Sequence, residues 1–396
     1  MPWRGEIERS FQQREQANRW RTRQRVQSPM GRTLTIDGQS LLNFCSNDYL
    51  GLANHPALKQ ASTAAIETFG TGSGASHLVC GHQELHHQLE QDLAAMLGAE
   101  QAIVFSTGYM ANLAVPQTFL GRNDLLLEDK LNHASLLDAG SISAVKMKRY
   151  SHLDINSVKK LLTDSDANRE MVLTDGTFSM DGDVAPVQEL AELCRQQGAM
   201  LVVDDAHGFG VLGERGAGLF EQEDVPVGGN VLMVGTLGKA AGSFGAFVAG
   251  DAAYVQSLIQ FARTYIYTTA LPPAVAAASI AAVKLIQSEP SRRKRLKSLI
   301  NRFRTEAAEA GLPLMPSHTA IQPIVLGSEK NALAADALLR ENGILGIAIR
   351  PPTVPAGSAR IRLTFRADHT DEDMDQLLSV LTGYAFRQLV AAEDVS

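Results

Sequence analysis

The chain has 396 residues, of which 45% are hydrophobic and 20% charged, a globular composition long enough for two packed units. Its net charge of −7 makes nucleic acid a poor ligand, because polyanions are bound by basic surfaces. Three isolated cysteines, Cys45, Cys80 and Cys194, argue against a disulfide framework or a Cys-x-x-Cys zinc site and predict a reducing, cytoplasmic location.

The first segment, residues 1–50, is predicted to contain a helix over 1–27 and then a hairpin. The helix region is polar from the start and rich in arginine, so it lacks the apolar centre of a signal peptide. The hairpin prediction comes from "TLTIDGQSLLNF", where Asp37-Gly38 separates two extended apolar stretches.

Residues 51–285 are predicted to form a large cofactor-binding domain. It opens with the amphipathic helix "HQELHHQLEQDLAAMLG", which ends at Gly98. Short apolar runs that lack alternation then recur between helical stretches, which predicts a mostly parallel sheet between helices: "QAIVF", "DLLLED", "MVLTD", "MLVVDD", "VLMVG" and "GAFVAG". The longest apolar segment, "LPPAVAAASIAAVKLI", is alanine-rich and carries Lys284, so it predicts a buried helix and no membrane contact.

Residues 286–396 are predicted to form a smaller C-terminal α/β domain. The charged stretch 291–304 is typical of a solvated helix face. The strands are expected in "AIQPIVLG", "ILGIAIRPP" and "ARIRLTF", and further helices in "ALAADALLRENG" and the terminal segment.

Four polar motifs follow predicted strands, and ligand sites of open α/β sheets lie at the carboxyl ends of strands. In the first, Thr107 and Gly108 make a turn before a helix that starts near Tyr109, a suitable phosphate site or else an ordinary helix cap. In the second, "MLVVDDAHGFG", a strand delivers Asp204, with His207 three residues later. That pair fits a metal site, a catalytic triad fragment, a cofactor clamp or a hydrogen-bonded turn.

The third motif, "MVLTDGTFSMDGDVAP", carries Ser179 and three acidic residues in one loop. Its spacing does not match an EF-hand, so a structural loop is the alternative to a binding site. No metal is predicted here or at "HQELH", where Gln83 stands at the position that a zinc protease motif reserves for Glu.

The fourth motif, "VGTLGKAAGSFG", surrounds Lys239 with small residues. It fails the P-loop pattern, because Met233 replaces the first glycine and Ala240 follows the lysine. A lysine in such a loop can form a Schiff base with an aldehyde, and small neighbours leave room for a flat ring. A helix start for the phosphate and a strand-end aspartate for a pyridinium nitrogen complete the requirements of pyridoxal phosphate.

The motifs taken together resemble the α-oxoamine synthase family of fold type I pyridoxal phosphate enzymes, from about residue 3 to residue 385. They are "NFCSNDYLGL", "GSGASHLVCG", "LNHASLLDA", "TDGTFSMDGD", "VDDAHGFGVLGERG", "GTLGKAAG" and "IRPPTVPAGSARIRLT". The family often has Phe-Gly-Lys-Gly where this chain has Leu237-Gly238-Lys239-Ala240, and the alanine keeps the position small.

The resemblance implies a role for each matching residue. Lys239, His133, Asp204 and His207 are expected to be catalytic. The cofactor is expected to contact Gly108, Tyr109, His133, Ser179, Asp204, His207, Thr236 and Lys239. The substrate is expected to contact Arg21, Asn47, His133, Thr353 and Arg362, with Arg362 on the amino-acid carboxylate. Because the family builds its site across a homodimer, the Asn47 that serves a given site is expected to come from the partner subunit. The alternative for Arg21 is a solvent-exposed arginine of the N-terminal helix that does not contact the substrate.

Within the family, "IRPPTVPAG" resembles the branch of biotin synthesis that condenses L-alanine with a pimeloyl thioester, carried by acyl carrier protein or coenzyme A. Related enzymes that use glycine or serine with other thioesters typically have Tyr-Pro where this chain has Pro351-Pro352. The alternative function is therefore that of another family member, of the 5-aminolevulinate synthase, 2-amino-3-ketobutyrate ligase or serine palmitoyltransferase type. A remote alternative is a non-catalytic ligand-binding α/β protein. The presence of Lys239, Asp204 and His207 argues against it.

Overall fold

A computed structural model describes residues 2–391 of the chain. The helices are α1 (Pro2–Gln16), α2 (Pro56–Phe69), α3 (Glu84–Leu97), α4 (Gly108–Phe119), α5 (Ala134–Ile142), α6 (Ile155–Thr163), α7 (Val187–Gln197), α8 (Leu219–Gln222), α9 (Ala252–Phe261), α10 (Arg263–Ile266), α11 (Pro273–Ser288), α12 (Pro290–Glu309), α13 (Glu329–Glu341), α14 (Asp371–Thr382) and α15 (Tyr384–Ala391). The strands are β1 (Thr33–Ile36), β2 (Gln39–Asn43), β3 (Gln101–Phe105), β4 (Leu125–Asp129), β5 (Lys146–Tyr150), β6 (Glu170–Asp175), β7 (Met200–Asp204), β8 (Val231–Thr236), β9 (Ala246–Gly250), β10 (Ile321–Gly327), β11 (Ile344–Leu345), β12 (Ile347–Ile349) and β13 (Ala359–Thr364).

The chain divides into two compact units. The larger comprises 47–179 and 183–294, and the smaller comprises the residues up to 46, 180–182 and those from 295 onward. The domain boundaries expected from the sequence lie near 50 and 285. Sequence order alone does not indicate that the first 46 residues share a unit with the C-terminal part.

The larger unit is built on a seven-stranded sheet with the order β3-β9-β8-β7-β6-β4-β5. Strands β8, β7, β6, β4 and β5 pair in parallel, and β9 is antiparallel to both of its neighbours. Every residue of β4 and β9 is buried, which explains why these strands lack polar alternation. The predicted α/β fold with a mostly parallel sheet is confirmed.

The core of this unit lies between the sheet and helices α4, α5 and α9. Its fully buried members include Ile103, Ala111, Ala114, Leu126, Leu136, Leu173, Val202, Val234, Val248 and Leu258. The small alanines of α4 let that helix approach the sheet closely. The first turn of α4 is thereby fixed beside the carboxyl ends of the strands.

The smaller unit contains two three-stranded sheets, β1-β2-β11 and β10-β13-β12. The predicted hairpin is confirmed: Thr33 pairs with Leu42, and the turn residues Asp37 and Gly38 have φ values of 51° and 78°. Both angles are positive, as a tight two-residue hairpin turn requires. In the second sheet, β13 lies between two antiparallel neighbours and carries Arg362.

Two secondary-structure expectations need correction. The helix predicted over 1–27 ends at Gln16, because Asn18 adopts a left-handed conformation with φ of 54°, and Val26 then bridges to Ile36. Strand β5, "KMKRY", was not predicted, since it is polar and pairs only with β4 at the edge of the sheet. Over residues 2–391, no helix combines the length and apolar character needed to cross a bilayer.

Candidate active site

The first turn of α4 follows the end of β3. Thr107 caps the helix, and its Oγ1 accepts a hydrogen bond from Met110 N at 3.2 Å. The first N–H groups of a helix have no intrahelical acceptor and carry partial positive charge. A side chain at Gly108 would meet no atom within 4 Å, so the space beside this turn is open to a ligand. The turn therefore fits a phosphate group.

Asp204 ends β7 and is held by α4. Its Oδ2 accepts a hydrogen bond from Asn112 Nδ2 at 2.6 Å, and its Oδ1 accepts one from Ala206 N at 3.1 Å. Burial and then the charge of Asp204 raise the pKa of Asp175, while burial raises the pKa of Asp205 to about 8, with Asp204 adding to it. Such a group of buried acids is stabilised by a cation placed against Asp204.

His133 precedes α5 as its N-cap. Its backbone N–H donates to Asp175 Oδ2 at 2.6 Å, and its ring Nδ1 lies 2.7 Å from Ser135 Oγ. Burial lowers the pKa of His133, so the ring is neutral at neutral pH. A fixed, neutral imidazole offers a flat face on which another aromatic ring can stack.

Lys239 lies in the loop after β8 and contacts His207. Lys239 Nζ is 2.8 Å from His207 Nε2, and His207 Nδ1 is 2.6 Å from the Tyr49 hydroxyl. Tyr49 in turn donates to Asn47 Oδ1 at 3.2 Å. With the proton of neutral His207 on Nδ1, every group in this chain donates to the next, starting from the Lys239 amine.

The small residues around Lys239 are required by close packing. Gly242 has φ of 63°, and a Cβ there would overlap the backbone of Leu52 and Ala53. Thr236 fixes the start of the loop, because its Oγ1 donates to Gly245 O at 3.0 Å and accepts from Gly238 N at 3.2 Å. The loop therefore holds the base of the lysine side chain rigidly.

The remaining predicted residues are distributed over the two units. Ser179 is half-buried in the turn that follows β6. Tyr109 is 43% exposed and its hydroxyl donates to the carboxylate of Asp138. Arg21, Thr353 and Arg362 belong to the smaller unit, where Arg21 Nη2 donates to Thr353 Oγ1 at 3.5 Å and Arg362 is buried.

Sequence reasoning missed four residues that shape this site: Tyr49, Asn112, His152 and Asp175. Asp175 ends a buried strand, so the argument that found Asp204 could also have found it. His152 Nδ1 and Nε2 each lie 2.9 Å from a carboxylate, of Asp129 and Asp183 respectively. Asn112 and His152 gave no local signal, because their partners are far along the chain.

The donor set fits pyridoxal phosphate. The α4 turn suits the phosphate, the Asp204 carboxylate suits a protonated pyridine nitrogen, the neutral His133 ring suits stacking, and the Lys239 amine suits the aldehyde. Gly108, where a Cβ would meet no atom within 4 Å, leaves space for such a group.

Comparison with known proteins agrees with this reading. The model of the family "Aminotransferase class I and II" matches residues 39–381. The 8-amino-7-oxononanoate synthase of Cellvibrio japonicus is 54% identical over 368 residues, covering 92% of this chain and 91% of that protein. The protein of the same name from Hahella chejuensis is 50% identical over 383 residues, with 96% of each covered.

Solved structures share the fold. A serine palmitoyltransferase from S. paucimobilis with a bound PLP–myriocin aldimine has a TM-score of 0.91 at 27% identity, covering 97% of this chain and 98% of that chain. The crystal structure of 8-amino-7-oxononanoate synthase from Francisella tularensis has a TM-score of 0.76 at 31% identity, covering 90% and 99%. The expected cofactor and enzyme class are confirmed. The chain belongs to the aminotransferase class I and II family and, within it, to the 8-amino-7-oxononanoate synthase family of pyridoxal phosphate-dependent transferases.

Proposed function

We propose that the enzyme joins L-alanine to a pimeloyl thioester and releases carbon dioxide, the thiol and 8-amino-7-oxononanoate. A bond forms between the alanine Cα and the thioester carbonyl carbon, the carbon–sulfur bond breaks, and the alanine carboxylate leaves as carbon dioxide. The observation that carries the proposal is the 2.8 Å contact of Lys239 Nζ with His207 Nε2. It occurs in a chain that is 54% identical to a protein named 8-amino-7-oxononanoate synthase.

Bound pyridoxal phosphate supplies a ring that stabilises negative charge on the carbon beside the substrate amino group. In this proposal the α4 turn, with Gly108 and Tyr109, binds the phosphate, and Asp204 holds the proton at the pyridine nitrogen. His133 stacks on the ring face and also meets the substrate. His207 lies beside the phenolic oxygen, and Thr236 and Ser179 make polar contacts around the ring.

Lys239 takes the proton from the alanine Cα and returns it at the end of the reaction, as a general base and acid. Arg362 binds the amino-acid carboxylate, because its planar guanidinium can donate two parallel hydrogen bonds. Burial of Arg362 supports this role, since a charged carboxylate is held more strongly away from water. Arg21, Asn47 and Thr353 contact the substrate.

A substrate panel tests the proposal. The holoenzyme is incubated with alanine, glycine or serine and each of pimeloyl, succinyl, acetyl and palmitoyl thioesters, and the products are weighed by mass spectrometry. We expect the alanine–pimeloyl product to dominate. The TM-score of 0.91 to serine palmitoyltransferase makes the serine–palmitoyl product the second candidate, and its dominance would contradict the proposal.

We further propose that the enzyme is a homodimer. Several large apolar side chains of the larger unit are exposed in the single chain, with Val79 at 76%, Tyr267 at 72% and Phe244 at 52%. The segments that carry Val79 and Tyr267 are adjacent, since His77 stacks on Tyr265, and clustered apolar groups of this size mark interaction surfaces. Light scattering is expected to give the mass of two chains, and a monomer mass at micromolar concentration would contradict this.

Mixing two inactive variants tests whether Asn47 serves the partner's site. In a single chain, Asn47 reaches Lys239 of that same chain through Tyr49 and His207. If Asn47 acts across the dimer, exchange of subunits between Asn47→Ala and Lys239→Ala restores roughly a quarter of the activity, because half of the dimers have one intact site. If it acts within its own chain, the mixture stays inactive.

For the donor, we propose a thioester of acyl carrier protein or of coenzyme A, and for the location we propose the cytoplasm. The cysteines support the location, because Cys45, Cys80 and Cys194 are all free thiols. Assays with both pimeloyl carriers decide between the donors.

A further inference from the structure

Four of the ten histidines of the chain lie between residues 77 and 87, around the start of α3 in the larger unit. His86 caps the start of α3. Its Nδ1 accepts from Gln83 N at 3.0 Å, and its Nε2 contacts Leu271 O. Both nitrogens of His86 are therefore used within the protein.

The other histidines have a different arrangement. One ligand atom each from His82, His87 and Glu90 lies within 4.8 Å of the other two. His82 Nε2 is 3.8 Å from Glu90 Oε2. A zinc protease motif would use His82 and His86 as its two histidine ligands. Here His82 instead lies close to His87 and Glu90.

Neighbouring groups hold these ligand atoms in place. His77 Nδ1 lies 2.9 Å from His82 Nδ1, so His82 presents Nε2 to Glu90. Glu90 Oε1 accepts from Val104 N at 2.9 Å, which directs Oε2 toward His82. One ring nitrogen of His87 lies 3.0 Å from the Gln91 side-chain amide. Contacts of this kind orient metal ligands in proteins.

The chemical types of these side chains also suit a transition metal. The His82 side chain is 29% exposed and the Glu90 side chain 15% exposed, so both lie near the surface, where a cation can enter. Imidazole nitrogens and carboxylate oxygens are among the donors that Zn²⁺ takes.

We propose that His82, His87 and Glu90 form a binding site for a transition-metal cation of the Zn²⁺ class, with the remaining coordination positions filled by water. Two ligands of a tetrahedral zinc ion lie about 3.4 Å apart. His82 and Glu90 are near that separation, and a ligand atom of His87 lies within 4.8 Å of both. Imidazole ligands favour zinc, nickel or copper over magnesium. Bound metal would join His82, two residues before α3, to the first two turns of that helix.

The test uses the untagged holoenzyme and a calorimetric titration with ZnCl₂. We expect about one zinc ion per chain, with binding weakened roughly tenfold or more in His82→Gln and in His87→Gln. His318→Gln is the matched control, because His318 is exposed and lies in the smaller unit. His87 is exposed, so its variant should fold even if a change at the buried Glu90 does not.

Two results would overturn the proposal: zinc binding that is equally tight in His87→Gln, or no binding to the parent above the level of a His82→Gln, His87→Gln double variant. The visible absorption of the cofactor is recorded during the titration. We expect it to stay constant, since the site shares no residue with the Lys239 site. A spectral change that accompanies zinc binding would place the metal at the cofactor instead. This inference does not depend on the proposed function.

Discussion

At the scale of single residues, the hydrogen bonds around Lys239 determine whether its amine can give up a proton. The chain Lys239–His207–Tyr49–Asn47 has one consistent order, with each group donating to the next. The His207 tautomer with its proton on Nδ1 accepts at Nε2, which is compatible with a lysine that gives up protons during turnover. The side chain of Lys239 is half-buried, which limits competition from water.

Lys239→Ala is expected to abolish turnover, with a loss of about 10³-fold or more, because the variant lacks the amine that lies beside His207 and moves the proton. Borohydride reduction of the parent should fix the cofactor on Lys239, as located by peptide mass. Lys284→Ala, an exposed change on α11, serves as the control and should keep full activity. A reduced adduct on any other lysine contradicts the assignment.

Asn112→Ala should weaken catalysis although Asn112 was not predicted as a site residue. The change removes the donor 2.6 Å from Asp204 Oδ2, and hydrogen bonds to charged groups contribute about 1.5–3 kcal/mol. We expect kcat at saturating cofactor to fall by roughly 10- to 100-fold. Asn156→Ala, an exposed position on α6, is the matched control. An unchanged kcat in Asn112→Ala would show that Asp204 does not need this partner.

At the scale of elements, His152 joins two turns that follow strands β4 and β6. Its two ring nitrogens contact Asp129 and Asp183, and Asp129 also accepts from Leu131 N at 2.8 Å, in the turn that leads to His133. Burial opposes the charged ring, but the two carboxylates outweigh it and raise the pKa of His152 to about 10. The positive charge therefore stabilises the turns that carry His133 and Ser179.

The contribution of His152 should depend on pH. Because the folded pKa is raised from 6.5 to about 10, the stabilisation is complete below about pH 6.5 and is lost as the pH rises to about 10. We expect His152→Gln to lower the free energy of unfolding by roughly 2 kcal/mol near pH 6, and by much less near pH 10. His318→Gln is the control in urea titrations at each pH. A pH-independent difference would contradict the charged bridge.

A second element-scale prediction concerns the packing of β8 against β9. Gly235 lies opposite Phe247, and a Cβ at Gly235 would overlap the buried phenyl ring. Gly235→Ala should lower the free energy of unfolding by about 1–3 kcal/mol. Gly72→Ala, where a Cβ meets no atom within 4 Å, is the control in the same urea titration. Equal stability of both variants would mean that the ring moves at little cost.

At the scale of the whole molecule, the charge distribution bears on the acyl donor. The net charge is −7, yet the exposed segment after α1 carries Arg21, Arg23 and Arg25 in the smaller unit. An acidic carrier protein would meet overall repulsion together with local attraction to these arginines. A carrier protein that docks on this segment is attracted by exposed arginines, and salt screens attraction between exposed charges.

Activity with a carrier-protein thioester should therefore fall more steeply with salt than activity with a coenzyme A thioester. We expect kcat/KM for the carrier-borne donor to drop roughly tenfold between low and physiological salt, as steered associations do. Pimeloyl coenzyme A, measured in parallel, is the control. Equal salt slopes for the two donors would exclude guidance by the arginine segment.

The sequence by itself determined the α/β fold, the strand-end placement of Asp204, the loop around Lys239 and the cofactor class. These features are local, because a strand, a turn and a helix start are each coded within about ten residues, and the small residues around Lys239 are adjacent to it in sequence.

Only the tertiary structure decided that Asn112 holds Asp204, that His152 joins two turns, that β5 completes the sheet, and that His82, His87 and Glu90 converge. Asn112 and His152 have partners 92 and 31 residues away, and β5 is paired only through β4, so short-range patterns carry no trace of these contacts. His82, His87 and Glu90 are close in sequence, yet the direction of each side chain depends on His77 and Val104, which only folding brings beside them.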